Sequence, residues 1–243
     1  MRKKILITGG TKGIGRAVAE CFVTSGYDVL LTYASDDKHA RGVAEKLRSI
    51  NAQSQIDVLK ADITRKESIN TIHTYLQTHS IKLFSVVFNA GITYREPFET
   101  MTLSEWEKIF FAHIHFPVFL IQRILPQIEK EGSVLFTGSM MGEYPHGTSL
   151  SYGVSKSAVH ALVKNLVKFL APYGVRVNAV APGFVETEWQ KNKPAEIRKN
   201  IESKLACGRF ASPQEVAQTF KLLLENDYFN GEVIQMSGGY DYR

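Results

Sequence analysis

The first fifteen residues leave this chain few folds to choose from. Lys4-Ile5-Leu6-Ile7-Thr8 has the composition of a buried strand, Gly9-Gly10-Thr11-Lys12-Gly13-Ile14-Gly15 follows without a spacer, and Ala17, Val18, Phe22 and Val23 then recur at helical spacing. A strand that runs through glycines into a helix lets the backbone approach a ligand closely and points unpaired amides at it, an arrangement suited to a pyrophosphate. Such a unit implies a second, parallel strand reached by a crossover helix.

The rest of the chain keeps that alternation. Strands are expected at 28–33, 56–61, 83–88, around 134–136, at 175–180 and at 231–235. Helices are expected at 38–49, at 65–78, within 102–128, from 152 to about 170, and after 212. Thr102 with Glu105, and Ser212 with Glu215 behind Pro213, have the spacing of capping boxes. Pro117 is expected to kink the helix that contains it. No linker or low-complexity stretch divides the chain, so residues 1–243 read as one α/β domain: a Rossmann-type, doubly wound parallel sheet of about seven strands in the order 3-2-1-4-5-6-7, with helices on both faces.

Composition narrows the setting. The 44% hydrophobic fraction is that of a soluble globular chain. The basic start, Arg2-Lys3-Lys4, is followed by only three apolar residues before Thr8-Gly9-Gly10, too few for a secretory signal. No run approaches eighteen apolar residues, so no membrane span is expected. Cys21 and Cys207 are too few for a disulfide framework or metal cluster, which makes a reduced, cytoplasmic location the default. The net charge of +5 is scattered, with no basic stripe for nucleic acid. An anionic cofactor or carrier accounts for it equally well.

Chemistry is suggested by Ser139 and by Tyr152-Gly153-Val154-Ser155-Lys156. Four residues apart on a helix, Tyr152 and Lys156 share a face, and an ammonium beside a phenol lowers its pKa and suits it to proton transfer. Ser139, thirteen residues earlier and just past an apolar run, can place a hydroxyl beside the phenol. Spacing alone also describes an ordinary surface pair. On the second strand no acid stands where NAD would need one: Tyr33 and Ala34 end it, and Asp36 and Asp37 come later, although either acid could fold back. Lys12 in the glycine loop suits a 2′-phosphate, so NADP(H) is preferred and NAD(H) is possible.

Together, Thr8-Gly9 with Gly13 and Gly15, Asn89-Ala90-Gly91, the Ser139, Tyr152, Lys156 set and Pro182-Gly183-Phe184-Val185-Glu186-Thr187 resemble the short-chain dehydrogenase/reductase family along essentially the whole chain. The resemblance implies carbonyl–alcohol chemistry with Ser139, Tyr152 and Lys156 as catalytic residues. It also implies cofactor contacts from the loop residues Gly9, Thr11, Lys12, Gly13, Ile14 and Gly15, from Tyr33, and from Asp62 and Ile63 beside the adenine. Further contacts fall on Asn89, Ala90 and Gly91, on Tyr152 and Lys156, and on Pro182, Gly183, Val185 and Thr187. Asp62 could instead cap the next helix.

The family's asparagine seven residues after a tryptophan falls on His113, counted from Trp106. That asparagine's backbone carbonyl holds a water next to the lysine, so His113 could keep the role through its backbone, join the proton path through its imidazole, or be merely a bonded helix histidine. Within the family the chain is most similar to 3-oxoacyl-[acyl-carrier-protein] reductases, through TGGTKGIGRA, SVVFNAGI and NAVAPGFVETE. Their two basic carrier-gripping positions fall on Lys130 and Tyr173, and the second has lost its charge. An acyl thioester, another small ketone or alcohol, or a purely nucleotide-binding role is thus left open. The resemblance also implies a homo-tetramer or homo-dimer, and residues 188–209 read as a substrate lid or a surface insert.

Overall fold

A computed structural model describes residues 2–95, 97–145, 147, 149–240 and 242. Seven parallel strands form one sheet in the expected order, β3-β2-β1-β4-β5-β6-β7. Strands and helices alternate as β1 (Lys4–Ile7), α1 (Gly13–Thr24), β2 (Asp28–Tyr33), α2 (Asp37–Ile50), β3 (Ile56–Lys60), α3 (Glu67–Thr78) and β4 (Leu83–Phe88). There follow α4 (Leu103–Phe110), α5 (Phe116–Ile124), β5 (Ile128–Thr137), α6 (Leu150–Leu170), β6 (Arg176–Pro182), α7 (Ala195–Lys204), α8 (Pro213–Glu225) and β7 (Val233–Met236).

Because side chains alternate across a strand, each strand feeds two cores. Ile5, Ile7, Val29 and Leu31 pack with α1, α2 and α8, whereas Leu6, Leu30 and Val86 pack with α3, α5 and α6. Phe22 of α1 and Phe220 of α8 are fully buried in the first core, each contributing ~2 kcal/mol by removal from water. Both expected capping boxes form, Thr102 with Glu105 and Ser212 with Glu215. Strand order reverses between β1 and β4, so the loops that leave them diverge and open a crevice at the carboxyl ends of the strands.

The helical run after Thr102 differs from the expected single kinked helix. Between α4 and α5 lies a π-helical turn, Phe111–His115, and Pro117 stands just inside the start of α5. Proline has no N–H to give to the carbonyl four residues back, that of His113, and its ring crowds that oxygen. The helix widens there rather than breaking. The whole run, Leu103–Gln127, is long and apolar enough to cross a membrane by length and composition, contrary to the sequence expectation. Ile109, Ala112, Phe116, Leu120, Ile121 and Ile124 are all buried, most of them in the second core, so packing within the domain accounts for this part of the apolarity.

Candidate active site

The glycine loop turns from β1 into α1 at the crevice floor. Gly13 has φ +50°, a left-handed conformation that a side chain would strain. Gly15 is required by close packing, since a Cβ there would fall 2.4 Å from Asn89 Nδ2 and from the Gly9 carbonyl. Asn89 fastens this floor: its Nδ2 donates to the Thr8 carbonyl at 3.1 Å and the Gly9 carbonyl at 3.4 Å, and its Oδ1 accepts from Thr137 Oγ1 at 3.3 Å. The side chain therefore joins the ends of β1, β4 and β5. Asn89→Ala is expected to lower the unfolding free energy by ~2 kcal/mol in urea titration of the cofactor-free chain, because it leaves these partners unpaired in a largely buried place.

One open cavity of about 300 Å³ runs along the crevice. It brings together Gly9, Lys12, Gly13 and Ile14 from the first loop and Asn89, Ala90 and Gly91 from the second. Ser139, Tyr152 and Lys156 lie on its wall, and Pro182, Gly183, Val185 and Thr187 close the far side. Thr187 approaches the glycine loop from opposite, its Cγ2 3.5 Å from where a Gly13 Cβ would stand. The site also includes Thr137, Gly138, Glu188, Trp189 and Gln190. Trp189 meets the Tyr152 ring edge-on at 6.2 Å. Gln190, which no sequence pattern singled out, presents a buried Oε1 without a hydrogen-bond partner.

Other expected contacts lie outside this cavity. Tyr33 hydrogen-bonds to Asp37, Asp37 pairs with Lys60 at 3.1 Å, and Asp36 caps α2 by accepting from the His39 amide at 2.9 Å. Thr11 is buried, with its carbonyl 3.0 Å from His39 Nε2. Asp62 Oδ1 accepts from the amide and hydroxyl of Thr64, at 2.9 and 2.8 Å, so it closes a local turn and does not cap α3. Ile63 is buried in the second core.

The side chains expected to carry the chemistry come from the end of β5 and from α6. Ser139 Oγ accepts from the Met141 amide at 3.1 Å and is hydrogen-bonded to the Tyr152 hydroxyl. Lys156 Nζ donates to the Thr137 carbonyl at 2.7 Å and lies 5.6 Å from the centre of the Tyr152 ring. Burial holds Lys156 down to about 8. It also pushes the Tyr152 phenol above its ordinary value, against the downward pull of Ser139. The depression expected from Lys156 is not seen: burial disfavours the phenolate more than the Ser139 hydrogen bond favours it.

His113 is buried, and both ring nitrogens are engaged. Its Nε2 accepts from the Ile92 amide at 3.1 Å, so Nδ1 carries the proton and donates to Ser155 Oγ at 2.8 Å, while Ser155 donates to the Tyr152 carbonyl at 2.8 Å. Burial, then the Lys156 charge, holds the imidazole well below its ordinary pKa. It ties the second loop to the start of α6 as a neutral group. Between His113, Lys156, Thr8 and Thr137 is a cavity of about 10 Å³, the size of one water.

The cradle fits a dinucleotide. No side chain caps α1 and no acid stands in its first turn, so its leading amides face the cavity beside Lys12. Residues 9–241 match a family model described as enoyl-(acyl carrier protein) reductase. The chain is 33% identical to the 3-oxoacyl-[acyl-carrier-protein] reductase FabG of Aquifex aeolicus over 98% of this chain and 96% of that one. It is 32% identical to an uncharacterized oxidoreductase, YmfI, of Bacillus subtilis over 99% of both. Among solved structures it is similar to a short-chain dehydrogenase/reductase from Serratia marcescens, with a TM-score of 0.91 and 26% identity over 98% of this chain and 97% of that one. Sheet order, glycine cradle and these relatives agree: the chain belongs to the short-chain dehydrogenase/reductase family and is an NAD(P)-dependent oxidoreductase.

Proposed function

We propose that this enzyme reduces the ketone of a 3-oxoacyl thioester to the alcohol, with NADPH as the preferred cofactor. The observation that carries the reading is the half-buried Tyr152 phenol hydrogen-bonded to Ser139 on the wall of the glycine-lined cavity. NADPH, when bound, supplies the hydride. The protein has to place the carbonyl and protonate its oxygen. With the Met141 amide already on its Oγ, Ser139 has one O–H, which meets the Tyr152 hydroxyl in the free chain and would turn to the substrate oxygen when substrate binds. A phenol pushed up in pKa is fully protonated at neutral pH, so Tyr152 stands ready to donate its proton in the reducing direction.

Lys156 would hold the cofactor's ribose hydroxyls, and a proton would return through the one-water cavity beside it and the His113 carbonyl, which Pro117 cannot engage. The His113 imidazole serves only to position the loop and helix. Lys12 at the uncapped α1 terminus suits a 2′-phosphate, and the two acids that could favour NAD are engaged elsewhere, Asp36 as a helix cap and Asp37 with Lys60. The segment 188–209 would act as the lid: α7 has no buried residue and is held by Arg198, which pairs with Glu186 and lies over the Phe210 ring. Exposed Phe119 of α5 and Phe169 of α6 fit a homo-dimer or homo-tetramer, whereas Phe116 faces the core. The unpaired thiols of Cys21 and Cys207 suit a reducing cytoplasm.

A second reading, a small ketone or free thioester without a carrier protein, has its own support. Lys130 packs beside Gly174, the residue after Tyr173, at the end of β5 away from the cavity. β5 bulges between Ile128 and Ser133, and the four regular steps from Ser133 to Thr137 beyond it span about 13 Å at roughly 3.3 Å per residue; Glu129 and Glu131 flank the lysine. A carrier gripped there would sit at the opposite end of β5 from the cavity.

Steady-state reduction of acetoacetyl thioesters, on carrier protein and on a small thiol, with NADPH and with NADH, tests both. NADPH-dependent turnover with carrier is expected. Turnover confined to the small thiol would favour the second reading, inactivity on both would remove the acyl assignment, and NADH equal to NADPH would overturn the role given to Lys12.

A further inference from the structure

Behind the Ser139 turn lies a second buried histidine that the chemistry above does not use. His160, on α6 two turns past Tyr152, is 3% exposed. The backbone of residues 138–142 closes over its ring: a Cβ on Gly138 would fall 2.5 Å from Nε2, and one on Gly142 2.6 Å from Cε1. Nε2 accepts the Ser139 N–H at 3.3 Å, so Nδ1 carries the ring proton and donates to Glu143 Oε1 at 2.8 Å. The turn is anchored on either side of this contact, by the Gly138 amide on the Val180 carbonyl of β6 at 2.7 Å and by Ser157 Oγ on the Gly142 carbonyl at 2.6 Å.

We propose that His160, oriented by Glu143, is a positioning residue whose neutral Nε2 holds the Ser139 amide and thereby sets where the Ser139 hydroxyl meets the substrate oxygen. The proposal rests on the reading that Ser139 handles that oxygen. Protonation of His160 would turn Nε2 from acceptor into donor and set two N–H groups against each other. The charged groups that act on the ring are Glu143 from the turn and Lys156 and Lys164 from α6. Burial, helped by the two lysines, outweighs Glu143 and holds the ring below its ordinary value, so it stays neutral at neutral pH. Turnover should therefore fall on the acid side, below about pH 6.5.

The test has two arms. In the cofactor-free chain, the Ser139 amide resonance should move with the His160 ring titration. Glu143→Gln removes the carboxylate that favours the imidazolium, so both should shift together to lower pH; Glu143 is half-exposed and its replacement leaves the core intact. A Ser139 amide that stays flat through the His160 titration would overturn the proposal. In the kinetic arm, acetoacetyl-thioester reduction is followed against pH for wild type, His160→Gln and His160→Leu. The glutamine carries an untitratable acceptor and should lose the acid limb while keeping most of the rate at pH 7.5. The leucine should lower kcat about tenfold with unchanged NADPH binding. An unchanged acid limb in His160→Gln, or wild-type kcat in His160→Leu, overturns the inference while Ser139→Ala remains slow. Wild-type rate in Ser139→Ala would instead remove the reading of Ser139 on which it stands.

Discussion

Tyr152→Phe is expected to lower carbonyl reduction by about 10³-fold, in the range of a lost general acid, with the dissociation constant for NADPH essentially unchanged. The phenol is the proposed proton donor and lines the cavity, while the glycine loop, Asn89 and the Pro182–Thr187 side that form the cradle do not depend on its hydroxyl. The ring itself stays: it is met edge-on by His113 at 5.8 Å and by Trp189 at 6.2 Å, and phenylalanine preserves both contacts. Fluorescence titration with NADPH alongside initial rates separates the two effects. Preserved turnover would sink the proposed mechanism, and a parallel loss of binding would show that the hydroxyl supports the cradle.

Lys156→Met is expected to act in opposite directions on rate and on stability. Turnover should fall at least a hundredfold, since the ammonium that would hold the ribose and feed the proton path is gone. The cofactor-free chain, however, should become more stable. Lys156 has a folded-state pKa of about 8 against 10.5 for the free side chain, because it is buried. Between those values the unfolded chain binds the extra proton, so this group makes stability rise with pH across the window 8 to 10.5, by ~3 kcal/mol in all. Below pH 8 the charge is present in both states and the folded chain carries the full burial penalty. Methionine removes that penalty and loses one hydrogen bond to the Thr137 carbonyl, worth ~1 kcal/mol. A net gain of ~2 kcal/mol at pH 7, with a flatter pH profile above 8, is the expected result in urea titrations at several pH values. A loss of stability at pH 7 would refute it.

Much of this architecture is legible in sequence because local rules and the global fold agree. The glycine run after β1, the two capping boxes and the alternating apolar strands specify elements wherever they occur, and a parallel sheet leaves little choice of order. The cavity wall was legible where the spacing along one element joined a family motif, as for Tyr152 and Lys156. It was not legible where two elements distant in sequence meet. Nothing near His160 announces that it will accept the amide of Ser139, twenty-one residues earlier. Gln190 sits in a polar stretch whose composition suits any surface. For Tyr152 the geometry was foreseen but the balance was not, since the depth of burial that raises the phenol pKa is a property of the packed protein and not of the four-residue spacing.

The widened turn Phe111–His115 acts like a vernier on the helix that carries it. From Ile109 to Ile124 is fifteen residues, and at about 100° per residue an unbroken α-helix would overshoot four full turns by roughly 60°. One wide turn takes up that surplus. Ile109, Ala112, Phe116, Leu120 and Ile124 consequently stay aligned on the core over the whole length, and two histidines only two places apart receive opposite fates, His113 facing inward and His115 facing out. The turn that leaves the His113 carbonyl without its usual helical donor also keeps the helix in phase with the sheet, so one local irregularity serves both the site and the core.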